Sequence, residues 1–254
     1  LHTSIKIHQA ALFRKTISST SSDTIAIQID FAEKFKCISQ NEIQSAYFNQ
    51  RSITIFTVVV WGGLEKISKV FVTDDTSQSK YAVLCFLHEL FTDIKKKFPS
   101  VQIVKMFSDG CTAQFKNRWI LSIIAFAEEL FGIELFWNFF APGHGKGPVD
   151  GVGGNAKRIV YRQIMTKKVR VYSAEDFHKC LSETNCEIHS SLVSADQIKK
   201  LEDSLKNQWK SVKAMPGISK FFSFKKNDEK SISASQLGFT DETTQNEKIY
   251  VFKD

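Results

Sequence analysis

The sequence lacks the marks of membrane-spanning and secreted proteins. It has no uninterrupted apolar run of about eighteen residues, the length that crosses a bilayer. Its most apolar stretch, residues 119–140, is interrupted by Glu128, Glu129 and Glu134. No segment at the start has the form of a signal peptide. The five cysteines are odd in number and irregularly spaced, which argues against a disulfide framework and favours a reducing compartment.

Nucleotide-binding loops are also missing or out of place. The phosphate-binding pattern G-x-x-x-x-G-K-[ST] is absent, since Lys146 is followed by Gly147. The stretch "GVGGNA" at 151–156 matches G-x-G-x-x-A. A dinucleotide fingerprint should join the first strand to a helix, however, and this stretch follows the fifth predicted strand. A nucleotide-dependent enzyme is therefore disfavoured.

Length and charge favour a domain with an anionic partner. The 254 residues are 43% hydrophobic, which is enough for a large core. The net charge of +7 favours nucleic acid as a partner without establishing it. The chain begins at Leu1 rather than Met, and residues 1–22 resemble the tail of an upstream helical region. We therefore expect this chain to be a piece of a longer protein.

Hydrophobic periodicity predicts the order βββαβαβα within residues 23–170. Strands are expected at 23–31, 47–60, 66–73, 101–110 and 133–141, and helices at 79–97, 112–131 and 152–166. Three antiparallel strands followed by two βα crossovers would give a mixed five-stranded sheet flanked by helices. This is the order of elements in the ribonuclease H-like fold.

The rest of the chain is expected to lie outside that core. Residues 171–215 read as a helical extension, because Ser173 and Asp176 resemble a capping box and apolar residues recur at helical spacing afterwards. Residues 216–254 are rich in Ser, Lys, Asp and Thr. We expect them to form a peripheral, partly mobile tail.

Three aspartates stand where a metal site could form. Asp30 and Asp109 end two predicted strands, and Asp150 follows the fifth. Parallel neighbouring strands would bring the first two carboxylates to one edge of the sheet, where like charges repel unless a cation lies between them. Carboxylate oxygens suit Mg²⁺ or Mn²⁺. Acids at strand ends are also common on protein surfaces, so the prediction depends on all three sharing one edge.

Basic residues follow the third aspartate. Residues 146–170 carry seven lysines and arginines against the single acid Asp150. Two metal ions can activate the attacking oxygen and stabilise the leaving oxygen in phosphoryl transfer, and such a site needs a basic surface for the phosphate backbone. The predicted DNA contacts are Lys116, Lys146, Lys157, Arg158 and Arg162. A solvated helix face is the alternative.

Several segments together resemble a known family. "DFAEKF" with Asp30, "FSDGCTAQFKNR" with Asp109 and "HGKGPVDGVGGNAKR" with Asp150 are similar to transposase-derived proteins of animal genomes, which have a DDE/D-type ribonuclease H-like core. The resemblance covers about residues 23–166. It implies cut-and-paste DNA transposition with two divalent ions, a nuclear protein and a dimer or larger assembly. The third acid is Asp rather than Glu, so its helix must approach the metals more closely.

Other titratable residues have weaker assignments. His144 lies in the glycine-rich loop, where it could assist catalytic proton transfer or hold the loop through a hydrogen bond. The set His178, Cys180, Cys186 and His189 has no common zinc spacing, and we expect no zinc there.

Two rival functions keep the same fold. One is a domesticated transposase-derived module that binds DNA or protein and is catalytically silent. The other is a ribonuclease H-like nuclease that only hydrolyses. The presence of all three aspartates favours a DDE/D-type nucleotidyltransferase and endonuclease.

Overall fold

Strands form in this chain where β-branched and aromatic residues run together. The structure is a computed structural model that describes residues 2–37, 51–143, 145, 147–166, 169–239 and 246–252. The strands in these residues are β1 (Thr24–Lys36), β2 (Ser52–Gly62), β3 (Glu65–Thr73), β4 (Ile103–Ser108), β5 (Glu134–Phe139), β6 (Ile188–Leu192), β7 (Ser223–Asp228), β8 (Ser231–Ser235) and β9 (Glu247–Tyr250).

Helices lie between and after these strands. They are α1 (His2–Ser18), α2 (Lys80–Lys97), α3 (Arg118–Phe131), α4 (Pro148–Met165), α5 (Ala174–Ser182) and α6 (Ala195–Gln208), with short 3₁₀ helices at Trp209–Ser211 and Ile218–Lys220. Among the described helices, none has both the length and the apolar character needed to span a bilayer.

All strands join one mixed sheet in the order β6-β3-β2-β1-β4-β5-β7-β8-β9. β2 is antiparallel to both β1 and β3, whereas β4 is parallel to β1 and to β5. The central run β3-β2-β1-β4-β5 therefore has the strand order and directions of the ribonuclease H-like fold. The predicted α/β fold class is confirmed by this topology.

Helices cover both faces of the sheet. On one face, Ile25, Ile27 and Ile29 of β1 belong to a buried cluster with α2 and α3. On the other face, Ile55 and Val59 of β2 pack with α4 and α5. Many phenylalanines are fully buried between these layers, among them Phe35, Phe56, Phe71, Phe86, Phe91, Phe107, Phe115, Phe139, Phe177 and Phe224. Burial of each such ring stabilises the fold by roughly 1.5–3 kcal/mol.

The sheet is larger than the five strands expected. β6 lies within the predicted helical extension and pairs in parallel with β3. β7 pairs with β5, and β8 pairs with β7, so residues 223–235 are not a peripheral tail. The serines of β8 are buried in the sheet, and this polar composition concealed the strand.

α4 begins earlier than its apolar pattern indicated. The prediction started the helix near residue 152, but the first helical residue is Pro148. A proline at this position fixes φ and needs no hydrogen-bond donor, so it favours a helix start. Asp150 consequently lies within the first helical turn and not in the preceding loop.

Candidate active site

Asp30 lies on β1, and Asp109 directly follows the last residue of the neighbouring strand β4. β1 and β4 run parallel, with Gln28 paired to Phe107, and each aspartate lies two residues further along its strand direction. Neighbouring strands are about 4.8 Å apart, so the two residues are near each other, and repulsion from Asp109 helps raise the pKa of Asp30. β1 continues to Lys36 beside β2, so Asp30 does not end its strand as predicted. It lies where the partner strand β4 ends.

Backbone groups hold one oxygen of each carboxylate. Asp30 Oδ1 accepts a hydrogen bond from the N–H of Phe31 at 2.8 Å. Asp109 Oδ1 accepts one from the N–H of Cys111 at 3.1 Å. Among the described residues, no hydrogen bond reaches the second oxygen of either carboxylate. These oxygens are therefore available to another ligand.

The protein environment disfavours the charged forms of both aspartates. Burial raises the pKa of Asp30 to about 7, and repulsion from Asp109 and Asp150 contributes to this rise. Burial also raises the pKa of Asp109. A nearby cation would relieve both the burial cost and the repulsion.

Asp150 is fixed at the start of α4. Its Oδ2 accepts a hydrogen bond of 2.6 Å from the N–H of Gly147, the residue before the helix. Its charge contributes to the raised pKa of Asp30, so α4 brings the third acid within electrostatic reach of Asp30. Asp150 therefore caps the start of α4, the helix that packs on β1.

Close glycine contacts fix the approach of α4 and its preceding loop. A Cβ at Gly145 would lie 3.0 Å from the Cβ of Asp109, and one at Gly147 would lie 2.6 Å from Nε2 of Gln28. A Cβ at Gly153 would lie 2.7 Å from the Cβ of Ala32. A Cβ at Gly153 or Gly145 would press against Ala32 or Asp109, whereas the end of the Gln28 side chain could move away from one at Gly147. The glycines thus position Asp150 by close packing against β1 and Asp109.

The donor set can be tested against a divalent metal. Within the described residues, no three acidic, histidine or cysteine side chains are grouped closely enough to hold a metal ion. Asp30 and Asp109 nevertheless fit a hard cation, because each has a carboxylate oxygen without a hydrogen bond and each is harder to ionise without a positive neighbour. Asp150 is a further acid, and its charge reaches Asp30.

The predicted DNA contacts have different surroundings. Arg158 and Arg162 are exposed on α4. Lys157 pairs with Glu33 across 3.4 Å. His144 and Lys146 lie outside the described residues, so their predicted roles stay predictions.

Lys116 does not fit the predicted contact with DNA phosphate. Only 5% of the residue is exposed, and its Nζ donates a hydrogen bond to the backbone oxygen of Ser219 at 3.2 Å. The same Nζ lies 4.2 Å from the ring centroid of Phe222. Burial lowers the pKa of Lys116 to about 8. The lysine is enclosed because residues 218–222 pack over it, a contact between distant parts of the sequence.

Sequence reasoning missed a group of cationic and aromatic side chains at the same sheet edge. α2 follows β3 and α3 follows β4, and both helices therefore begin near the carboxyl ends of strands that run parallel to β1. Lys80 Nζ lies 4.1 Å from the ring centroid of Trp119, and Arg118 Cζ lies 4.4 Å from it. In the described part of the chain, neither cation forms an ion pair. The only signal in the sequence was a cationic residue directly before an aromatic one, at residues 80–81 and 118–119.

The cysteine and histidine set of the extension has local partners. His178 Nδ1 lies 2.8 Å from Ser190 Oγ. Cys180 is buried in the core, and the thiol of Cys186 lies 3.6 Å from the backbone oxygen of Ile188. His189 lies on β6. These contacts account for three of the four side chains.

Residues 9–238 match the family described as Domain of unknown function (DUF8701), and the chain belongs to this family. No curated protein matches the sequence. Among solved structures, the human cytomegalovirus terminase nuclease domain is similar with 12% identity and a TM-score of 0.28, covering 77% of this chain and 84% of that one. NurA with manganese has 9% identity and a TM-score of 0.23, covering 87% of this chain and 45% of that one. The fold assignment rests on strand order and direction, not on these similarities.

Proposed function

We propose that this chain is the catalytic core of a DDE/D-type DNA transposase, which cleaves DNA strands and joins them by phosphoryl transfer. The observation that carries the proposal is the nearness of Asp30 on β1 to Asp109, which directly follows the parallel strand β4, in surroundings that raise the pKa of both. Asp150 is the third acid in the proposal. A transposase, rather than another metal-dependent nuclease, is supported by the resemblance of the three aspartate segments.

The chain's own residues would organise the reaction in distinct ways. Asp30 and Asp109 would hold divalent Mg²⁺ or Mn²⁺ through the oxygens that the backbone leaves unoccupied, with Asp150 contributing from α4. Two bound ions would supply activation of the attacking oxygen and stabilisation of the leaving oxygen. The attacking oxygen belongs to water in strand cleavage and to a DNA 3′-hydroxyl in strand joining.

The exposed face of α4 supports the proposed DNA contact. Arg158 and Arg162 share this face with Gly151 and Gly154, at spacings of three and four residues. A Cβ at either glycine would meet nothing within 4 Å, so no contact in the described chain requires glycine there. Glycine weakens a helix interior, and close approach of a DNA backbone would explain its use at both positions. The four residues form a surface that we name the α4 face.

The decisive test is metal-dependent strand cleavage and strand transfer by the purified protein. We expect nicking of supercoiled DNA and joining of a 3′-hydroxyl end with Mn²⁺ or Mg²⁺, and loss of both in Asp109→Asn and Asp30→Asn. Asp196→Asn is the matched control, because it removes the same charge from the exposed start of α6. Strand cleavage without strand joining would identify the protein as a hydrolytic nuclease rather than a transposase.

Absence of any metal-dependent activity would overturn the catalytic proposal. Activity that persists unchanged in Asp109→Asn would overturn the assignment of the site. DNA binding without cleavage at any metal concentration would instead identify a catalytically silent DNA-binding module.

A further inference from the structure

A cavity of about 400 Å³ lies between α1 and the sheet. Its floor is formed by β4, β5 and β7, and one wall is the last two turns of α1. The lining residues that matter here are Lys15, Lys105, Lys225, Asn138, Phe136 and Phe239. Nothing in the proposed catalytic function uses this cavity.

The cavity concentrates positive charge. Lys15 comes from α1, Lys105 from β4 and Lys225 from β7, and no carboxylate is among the described residues that line the cavity. Across the described residues, none of the three lysines forms an ion pair with an acid. Three cations brought together by three separate elements repel one another unless an anion joins them. The charge pattern therefore fits an anionic ligand that bridges α1 to the sheet.

Polar and aromatic groups surround the lysines. Asn138 is 6% exposed, and hydrogen bonds fix its side chain to the backbone oxygen of Met106 at 3.4 Å and to Ser223 Oγ at 2.8 Å. The rings of Phe136 and Phe239 meet edge to face at 6.4 Å. Lys225 Nζ lies 5.0 Å from the centroid of Phe239. An anion bound here would have aromatic apolar surface beside it, which suits a nucleobase or a sugar ring.

The cavity is separate from the aspartate site, although both lie on one face of the sheet. Lys105 precedes Asp109 by four residues on the same side of β4, a distance of about 13 Å along a strand. Phe107 lies between them, and Phe13 of α1 packs edge to face on Phe107 at 4.9 Å and on Phe140 at 5.3 Å. These rings separate the lysines from the carboxylates.

We propose that this cavity binds a nucleoside phosphate unit, with the phosphate on Lys15, Lys105 and Lys225 and the nucleoside against Phe136 and Phe239. The unit is either a free nucleotide or part of a single DNA strand, and both present the same chemistry. Binding needs no metal, so the proposal stands apart from the catalytic one.

The test is isothermal titration calorimetry with thymidine 5′-monophosphate in a buffer that contains EDTA. We expect thymidine 5′-monophosphate to bind at one site per chain and thymidine itself not to bind. If the natural ligand is a DNA strand, a thymidine decamer should bind at the same lysines. Lys105→Gln and Lys225→Gln should each weaken binding by about tenfold, since each removes a charge-assisted hydrogen bond. Lys66→Gln is the control, because Lys66 is an exposed lysine of β3 outside the cavity.

Other outcomes would overturn the proposal. These are no saturable binding, equal binding of thymidine and its phosphate, or equal weakening by Lys66→Gln. Lys15→Gln tests the proposal even if the two sheet variants misfold, because Lys15 is exposed on α1. Its replacement should also weaken nucleotide binding without unfolding the sheet. Asp109→Asn should bind the nucleotide as the unaltered chain does, so failure of the catalytic proposal would leave this one intact.

Discussion

Asp30 on β1 and Asp109, directly after β4, each follow by two residues the paired Gln28 and Phe107. This register places two acids beside each other in an environment that raises the pKa of both. Ionising both carboxyls therefore lowers the free energy of unfolding. Neutralising one of them, or binding a cation beside them, should raise it.

Asp30→Asn should stabilise the metal-free protein near pH 8. The raised pKa means that folding favours the protonated Asp30 carboxyl. The contribution of this group to the free energy of unfolding is therefore fully present below about pH 4 and is lost as the pH rises through about 7. We expect the substitution to recover on the order of 2–4 kcal/mol above pH 7 and little at pH 4. Urea unfolding at both pH values measures the difference. Equal effects at pH 4 and pH 8 would contradict the assigned cause.

Manganese should raise the unfolding temperature at pH 7.5. A ligand that binds only the folded state stabilises it by about 2.7 kcal/mol at a concentration 100 times its Kd. Asp109→Asn should remove most of this gain, whereas Asp196→Asn should keep it. Thermal unfolding with and without Mn²⁺ gives the result, and an unchanged gain in Asp109→Asn would argue against metal binding at this pair.

Two neighbouring glycines of α4 should respond in opposite ways to alanine. Gly153→Ala places a Cβ 2.7 Å from the Cβ of Ala32, so we expect a loss of about 1–3 kcal/mol. Gly154→Ala meets nothing within 4 Å and should stabilise the helix by about 0.5–1 kcal/mol. Denaturant unfolding compares the pair. Destabilisation by Gly154→Ala would show that glycine is needed there within the chain itself.

The α4 face should carry DNA affinity. Arg158→Gln and Arg162→Gln should each weaken binding of duplex DNA and reduce the slope of log K against log salt by about 0.9. Gly154→Ala should weaken DNA binding while it stabilises the fold. Fluorescence anisotropy at several salt concentrations measures both quantities. Lys199→Gln on α6 is the control, and equal losses there would indicate non-specific charge.

Lys116→Gln should leave DNA affinity unchanged. The side chain is enclosed by Phe222 and the backbone of Ser219, so it offers no charge to a phosphate at the surface. The same anisotropy measurement tests this, and a loss comparable to that of Arg158→Gln would mean that the 218–222 segment opens when DNA binds.

The central part of the fold could be predicted because its strands and helices have clear apolar periods. β1, β4 and the crossover helices follow from that pattern, and with them the nearness of Asp30 to Asp109. β8 was missed because its buried residues are serines, which pair through the backbone without an apolar signature. The burial of Lys116 was missed because its partner Phe222 lies more than a hundred residues away in sequence.

The pairing of β7 with β5 has a consequence for any attempt to shorten the protein. A chain ending at residue 215 would keep every predicted element of the ribonuclease H-like core. It would also expose the edge of β5 that pairs with β7 at residues 136–138, together with the apolar surface that Phe224 covers. An unprotected strand of this kind recruits further strands from other molecules. The shortened protein would therefore tend to self-associate into insoluble material.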